Sequence, residues 1–304
     1  MNLLANKLMS GHVAEAINHF NHALALKDQH SSSVDVAQAM FNALNKLQTE
    51  WLINQSEQIG EVKAFQTMIL SGLPLQSRGT FLQNTHTQSL VTLEPKILNH
   101  HTLRHGGYKP DVPVTPRLAR DASEAHRKLE TAYHDLEQEG SDEVSKRVIK
   151  RLAELLYVVR SNIAHGEKTP YGPDLNKRER DKQVCACIVP LQELLLDMLL
   201  GQPSKKLVSY GTLSPGQPNH SLISDLRGEW KECVIRGVMN QKDGLSRFSC
   251  NPAGSEQTAS LFTSDDLPNN WNRIDRFEGK EYRRQLVPAK TQASIAIGYA
   301  YIAI

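Results

Sequence analysis

"YGTLSPGQPNH", residues 210–220, follows the apolar pair Leu207-Val208 and gathers a tyrosine, a threonine, a serine, an asparagine, a histidine and two glycines into eleven positions. So many hydrogen-bonding groups directly after an apolar run read as a strand leaving into a polar turn. Gly211 allows positive φ there, so that successive N–H groups can point into one concavity and hold an anion. The turn therefore predicts a small polar ligand.

Working outward, the segments downstream are short and β-like, separated by Gly, Pro, Asn and Asp: 206–213, "ECVIRGVMN" (232–240), "LSRFSC" (245–250), "TASLFT" (258–263), "YRRQLVPA" (282–289) and "ASIAIGYAYIAI" (293–304). "LPNNWNRIDRFEG" (267–279) reads as one short helix that starts near Asp266–Pro268 and stops at Gly279. Six strands around one helix predict a small α+β domain with a barrel-like sheet over 205–304. Upstream of "GQPSKK" (201–206) the periodicity is helical, and residues 1–204 read as an all-α domain. Helices are expected over roughly 2–27, 34–57, 60–71, 117–139 and 176–200, with 72–116, rich in Thr, His, Gly and Pro, as an irregular insertion. The clearest helix follows "EGSDE": Ser141 suits the cap, and Val144, Val148, Leu152, Leu155 and Val159 recur in steps of three and four.

Composition sets bounds. The chain has 304 residues, 39% of them hydrophobic and 22% charged, and a formal charge of +2, which predicts a soluble globular protein without a globally basic face. The first twenty residues contain no apolar core of signal-peptide length, and no segment approaches the roughly 20 apolar residues of a membrane span, so a cytoplasmic location is expected. Cys185, Cys187, Cys233 and Cys250 lack zinc-like spacing and read as reduced, mostly buried thiols. His100, His101 and His105 have no supporting carboxylate or cysteine and read as surface loop, so no metal or other cofactor is expected. "NKRERDK" (176–182) reads as a solvated helix face.

Beyond the turn stands "DRFEGKEYRR", in which Glu278 lies between Phe277 and Gly279, with Tyr282 close behind. A glutamate beside a bulky aromatic at a helix end is open to partial desolvation, which lifts its pKa toward the range useful for proton transfer. Tyr210-Gly211-Thr212-Leu213 and Gly216-Gln217-Pro218-Asn219, followed by Asp275-x-Phe277-Glu278-Gly279 and Tyr282-x-Arg284, resemble the gamma-glutamylcyclotransferase-like superfamily, in particular its gamma-glutamylamine branch. The resemblance implies a ligand pocket built by Tyr210, Gly211, Thr212, Leu213, Asn219 and Tyr282. It implies Glu278 as the proton shuttle while the α-amine of a γ-glutamyl compound closes 5-oxoproline and expels an amine.

"RSNIAHG" (160–166) ends the strongest helix. Arg160 and His165 lie about 140° apart on a regular helix, so they converge only where the last turn frays at Gly166. An apolar helix that ends in Arg, a polar residue and then His resembles the HEPN superfamily. That resemblance implies a metal-independent RNA endonuclease of the kind found as toxins or defence effectors. Arg160 would stabilise the phosphorane-like transition state and His165 would move the ribose 2′-OH proton, with Ser161 or Asn162 holding either the imidazole ring or the scissile phosphate. It implies single-stranded RNA or tRNA as substrate, a homodimer and, for toxins, a partner antitoxin. The two resemblances together imply a two-domain protein with both activities. The alternatives are a cyclotransferase on a helical dimerisation scaffold, or a ribonuclease governed by a ligand-binding C-terminal domain.

Overall fold

The structure is a computed structural model that describes residues 9–55, 58–73, 75–93, 123–164, 175–242 and 245–304. They fall into two compact units, 18–196 and 197–304, the second including residues 9–17. A helical region is followed by a small barrel domain.

The helical region contains α1 (Gly11–Asp28), α2 (Ser33–Ile53), α3 (Glu61–Gly72), α4 (Leu75–Gln83), α5 (Thr85–Val91), α6 (Glu124–Glu139), α7 (Asp142–Ala164) and α8 (Leu175–Leu199). α6 stops at Gly140, which takes the left-handed conformation that a side chain resists. Ser141 then accepts from the Val144 N–H at 3.3 Å and opens α7, as the sequence predicts. α7 buries Val144, Val148, Leu152, Leu155 and Val159 and packs on α2, α3, α4 and α6.

The segment 72–116 departs from the irregular insertion expected of it. α4 and α5 occupy its first part, because Phe81, Leu82, Leu90 and Val91 are buried and the Thr87 hydroxyl donates to the Phe81 carbonyl at 2.8 Å. Burial there outweighs a composition poor in helix formers. Residues 94–116, with His100, His101 and His105, lie outside the described residues. Within 176–182, Asp181 is buried rather than solvated. Cys185 and Cys233 are buried, whereas Cys250 is exposed. Among the described residues no helix is long and apolar enough to cross a membrane.

The second unit holds β1 (Lys206–Ser209), β2 (Glu229–Lys242), β3 (Leu245–Cys250), β4 (Ser255–Thr263), α9 (Trp271–Glu278), β5 (Tyr282–Lys290) and β6 (Ile295–Ala303). The sheet runs β3-β2-β4-β1-β6-β5 and closes through a β2–β5 pairing at Val234 and Lys290. Every pairing is antiparallel except β1 with β6, where Leu207 stands opposite Tyr299. Val208, Ile235, Phe248, Leu261, Val287 and Ile302 fill the interior. β1 is short and lies between β4 and β6, with Leu207, Val208 and Ser209 buried. Its C-terminal end therefore delivers the polar turn to one end of a closed barrel.

Candidate active site

The turn after β1 spends many of its own polar groups on holding its shape. The Ser214 hydroxyl lies 3.2 Å from the Ser209 carbonyl and 2.9 Å from the Ser209 hydroxyl. A ring nitrogen of His220 lies 3.1 Å from the Leu213 carbonyl, and the ring packs on Trp230. The Asn219 N–H donates to the Thr212 carbonyl at 3.1 Å. Gly211 does not take the positive φ expected of it; Gly216 does, at 77°. The reason is Ser214-Pro215-Gly216-Gln217, closed by the Gln217 N–H on the Ser214 carbonyl at 3.0 Å. Proline second and glycine third is the turn that demands positive φ at its third residue.

What remains unspent faces a cavity of about 270 Å³, lined on this side by Tyr210, Gly211, Thr212, Leu213 and Asn219. Among the described residues, the N–H groups of Gly211, Thr212 and Leu213 find no acceptor. Three neighbouring peptides with free donors are a site for a carboxylate or an oxyanion. A Cβ on Gly211 would meet no atom within 4 Å, so the missing side chain does not serve the packing of the protein. Gly211→Val is therefore expected to keep the thermal midpoint of the wild-type protein. It should weaken binding or turnover of a cavity ligand by roughly ten- to a hundredfold, as displacement of a bound ligand does. A melt and a ligand titration on the same preparation check both halves.

The opposite wall comes from α9, β5 and β6. α9 has only eight residues and follows a 3-10 turn at Leu267–Asn269; it ends at Gly279, whose φ of 73° suits glycine. Two turns of helix do not persist alone. Buried Trp271 and Ile274, and the indole N–H of Trp271 donating to the Ser204 carbonyl at 2.8 Å, hold it on the barrel. Its last residue, Glu278, lines the cavity with Tyr282 and Tyr301. Burial alone pushes the Glu278 carboxyl up to about 7. Phe277 also lines the cavity but is 43% exposed, so it is not the sole source of that burial; the tyrosines of the cavity wall enclose the same space.

Tyr210, Gly211, Thr212, Leu213, Asn219, Glu278 and Tyr282 thus share one cavity, although some 60 residues of chain separate its two halves. The Tyr210 hydroxyl is committed to the Tyr301 carbonyl, so Tyr210 offers the ligand its ring, which packs on Phe248 at 5.3 Å. Tyr301 escapes a reading by sequence, standing as it does in an apolar strand. The available signal is that a tyrosine buried in such a strand must find an acceptor for its hydroxyl.

The remaining predicted residues lie on the helical unit. Arg160 packs over the Tyr157 ring at 4.9 Å and stands 3.9 Å from Glu61, whose carboxylate also accepts from the Tyr157 hydroxyl at 2.7 Å. Ser161 is half-buried. Asn162 is buried, 2% exposed, near the end of α7. His165 lies outside the described residues. Among the described residues no cluster of His, Cys, Asp and Glu has the makings of a metal site.

A small closed barrel that presents a half-buried carboxyl across a cavity from free peptide N–H groups is the class to which the second unit belongs. Its family is narrower: residues 207–303 match the family model described as gamma-glutamyl cyclotransferase, AIG2-like, so the C-terminal domain is AIG2-like. Two solved structures are similar. One is an AIG2-like protein from Mus musculus, 18% identical, with 33% of this chain and 76% of that chain covered and a TM-score of 0.28. The other is an uncharacterized protein from Pyrococcus horikoshii, 17% identical, with 33% and 79% covered and a TM-score of 0.26. No curated protein matches the chain.

Proposed function

We propose that the C-terminal domain is a gamma-glutamylcyclotransferase that converts a γ-glutamyl compound to 5-oxoproline and a free amine. The observation that carries this reading is Glu278, a carboxyl whose burial lifts it to about 7, facing a cavity lined by the free N–H groups of residues 211–213. At neutral pH such a group both accepts and returns a proton. Ionised Glu278 takes a proton from the substrate α-ammonium. The freed amine attacks the γ-carbonyl carbon and closes the five-membered ring, and the carbonyl electrons move onto oxygen. As they return, the bond to the leaving nitrogen breaks and Glu278 protonates that nitrogen; the ionised carboxylate then passes the second proton of the ring nitrogen to the released amine, which departs as its ammonium. The N–H groups of Gly211, Thr212 and Leu213 hold the substrate carboxylate or the developing oxyanion. Because the attack is intramolecular, holding the folded conformer supplies much of the acceleration.

The test incubates the full chain with a γ-glutamyl amine and, separately, a γ-glutamyl dipeptide, and measures 5-oxoproline. Release that Glu278→Gln abolishes supports the reading. No release from either substrate removes it and leaves the cavity as a binding site.

The helical region is proposed, second, as a HEPN-type ribonuclease. Arg160 is the observation in its favour: the guanidinium, with 23% of its side chain exposed, stays reachable near the end of α7. The expected result is cleavage of RNA in EDTA, leaving 2′,3′-cyclic phosphate ends, by the wild-type protein and not by Arg160→Ala or His165→Ala. Intact RNA with the wild-type protein would reduce these helices to a scaffold.

A further inference from the structure

Of the three tyrosines that line the cavity with Glu278, two, Tyr210 and Tyr301, have their hydroxyls turned to other partners. The Tyr210 hydroxyl donates to the Tyr301 carbonyl, and the Tyr301 hydroxyl donates to Asp275 Oδ1 at 2.6 Å. Asp275 stands three residues before Glu278 on α9, one turn away on the same side of the helix. Its second oxygen is 3.4 Å from Arg284 of β5. Arg284 in turn lies over the Trp271 ring at 4.6 Å and the Tyr299 ring at 5.1 Å. One carboxylate therefore ties α9 to β5 and β6 and takes up the one hydroxyl that β6 brings to the cavity wall.

We infer that Asp275 is a positioning residue for Glu278: by holding the Tyr301 hydroxyl it keeps a hydrogen-bond donor away from the Glu278 carboxyl and fixes that carboxyl at the cavity wall. The inference deepens, and rests on, the cyclotransferase reading of the cavity.

The titratable groups that share the cavity wall with Glu278 are Tyr210 after β1, Tyr282 on β5 and Tyr301 on β6; on its own segment stand Asp275 and the exposed Arg276 and Lys280. Glu281, farther along, pairs with Arg247. Among the described residues, no lysine or arginine lines the cavity. Burial is the one influence acting on the Glu278 carboxyl, so a hydroxyl released beside it would lower its pKa by favouring the charged form. Tyr301 lines the same cavity as Glu278; burial first, then Asp275 and in small part the Glu278 charge, push its phenol up.

The experiment uses full-length Asp275→Ala, Asp275→Asn, Tyr301→Phe and the double variant Asp275→Ala/Tyr301→Phe. Two readouts are taken on each: the acid limb of kcat/KM for 5-oxoproline release, and the carbon NMR titration of the Glu278 carboxyl, assigned with Glu278→Gln. Asp275→Ala is expected to move both down by about one pH unit, the size of shift that a new hydrogen bond to a carboxylate brings. Asp275→Asn, which still accepts from the hydroxyl, should move them less. Tyr301→Phe should leave both midpoints in place whatever the rate does, and the double variant should return them toward wild type. Unchanged midpoints in Asp275→Ala, or a shift that persists in the double variant, would overturn the inference. If no variant releases 5-oxoproline, the cyclotransferase reading fails by itself and the NMR titration decides on Asp275.

Discussion

Glu278→Gln is expected to lower 5-oxoproline release by about 10²- to 10⁴-fold, the contribution that a positioned acid–base group makes. The amide matches the carboxylate in shape, so the cavity survives while proton transfer is lost. The pH dependence follows from the same burial. The working form is the ionised one, so kcat/KM should rise through an acid limb centred at about 7, the value to which burial lifts the carboxyl. Stability has the opposite sign. Above its folded pKa the charge is held where it is poorly solvated, whereas in the unfolded chain it ionises near the ordinary value of 4.5. The wild-type domain therefore loses stability as pH rises from about 4.5 to about 7, and the full penalty stands above that. Glu278→Gln should be more stable than wild type at pH 8, by about 1–2 kcal/mol once the carboxyl's partial exposure is allowed for, and no more stable at pH 4. Melts at the two pH values check the stability arm without any substrate. An inactive variant with no gain at pH 8 would mean that Glu278 ionises in the folded protein at no cost.

Phe248→Ala carries the largest expected loss of stability. Phe248 is fully buried in the barrel on β3, and its ring packs against Tyr210, the first residue after β1. Removing a buried phenyl costs about 3–5 kcal/mol, from lost transfer energy and from the cavity left behind. The effect should reach the site, since Tyr210 loses the surface that fixes its ring at the cavity wall. Phe248→Leu, which keeps most of the apolar volume, is expected to retain turnover and to cost less than half as much. Trp230 and Trp271 report unfolding of the barrel once Trp51, the third tryptophan, is replaced by phenylalanine. A Phe248→Ala melt within 1 kcal/mol of wild type would show that the site repacks around the loss.

How much of this was legible in the sequence differs from element to element. The β-like runs from 206 onward fall on the six strands of the barrel, and "WNRIDRFE" is the helix α9. Those readings rest on alternation, on turn residues and on Gly279, which act within a few positions of chain. The Ser141 cap and the buried face of α7 are local in the same way. α4 and α5 were not legible, because apolar burial against other helices stabilises a stretch whose own residues favour no helix. The placement of positive φ on Gly216 rather than Gly211 depended on which four residues close the turn.

By itself, then, the sequence determined a helical region, a barrel-like domain after it, and the residue types of one polar turn and one glutamate. The tertiary structure alone decided that β1 runs parallel beside β6. That pairing brings Tyr301 to the turn, takes the Tyr210 hydroxyl out of service and sets Asp275 against β6. The physical reason is range. Propensity and periodicity act between near neighbours, whereas the protonation of Glu278 depends on how completely groups from β1, β5, β6 and α9 exclude water around one carboxyl.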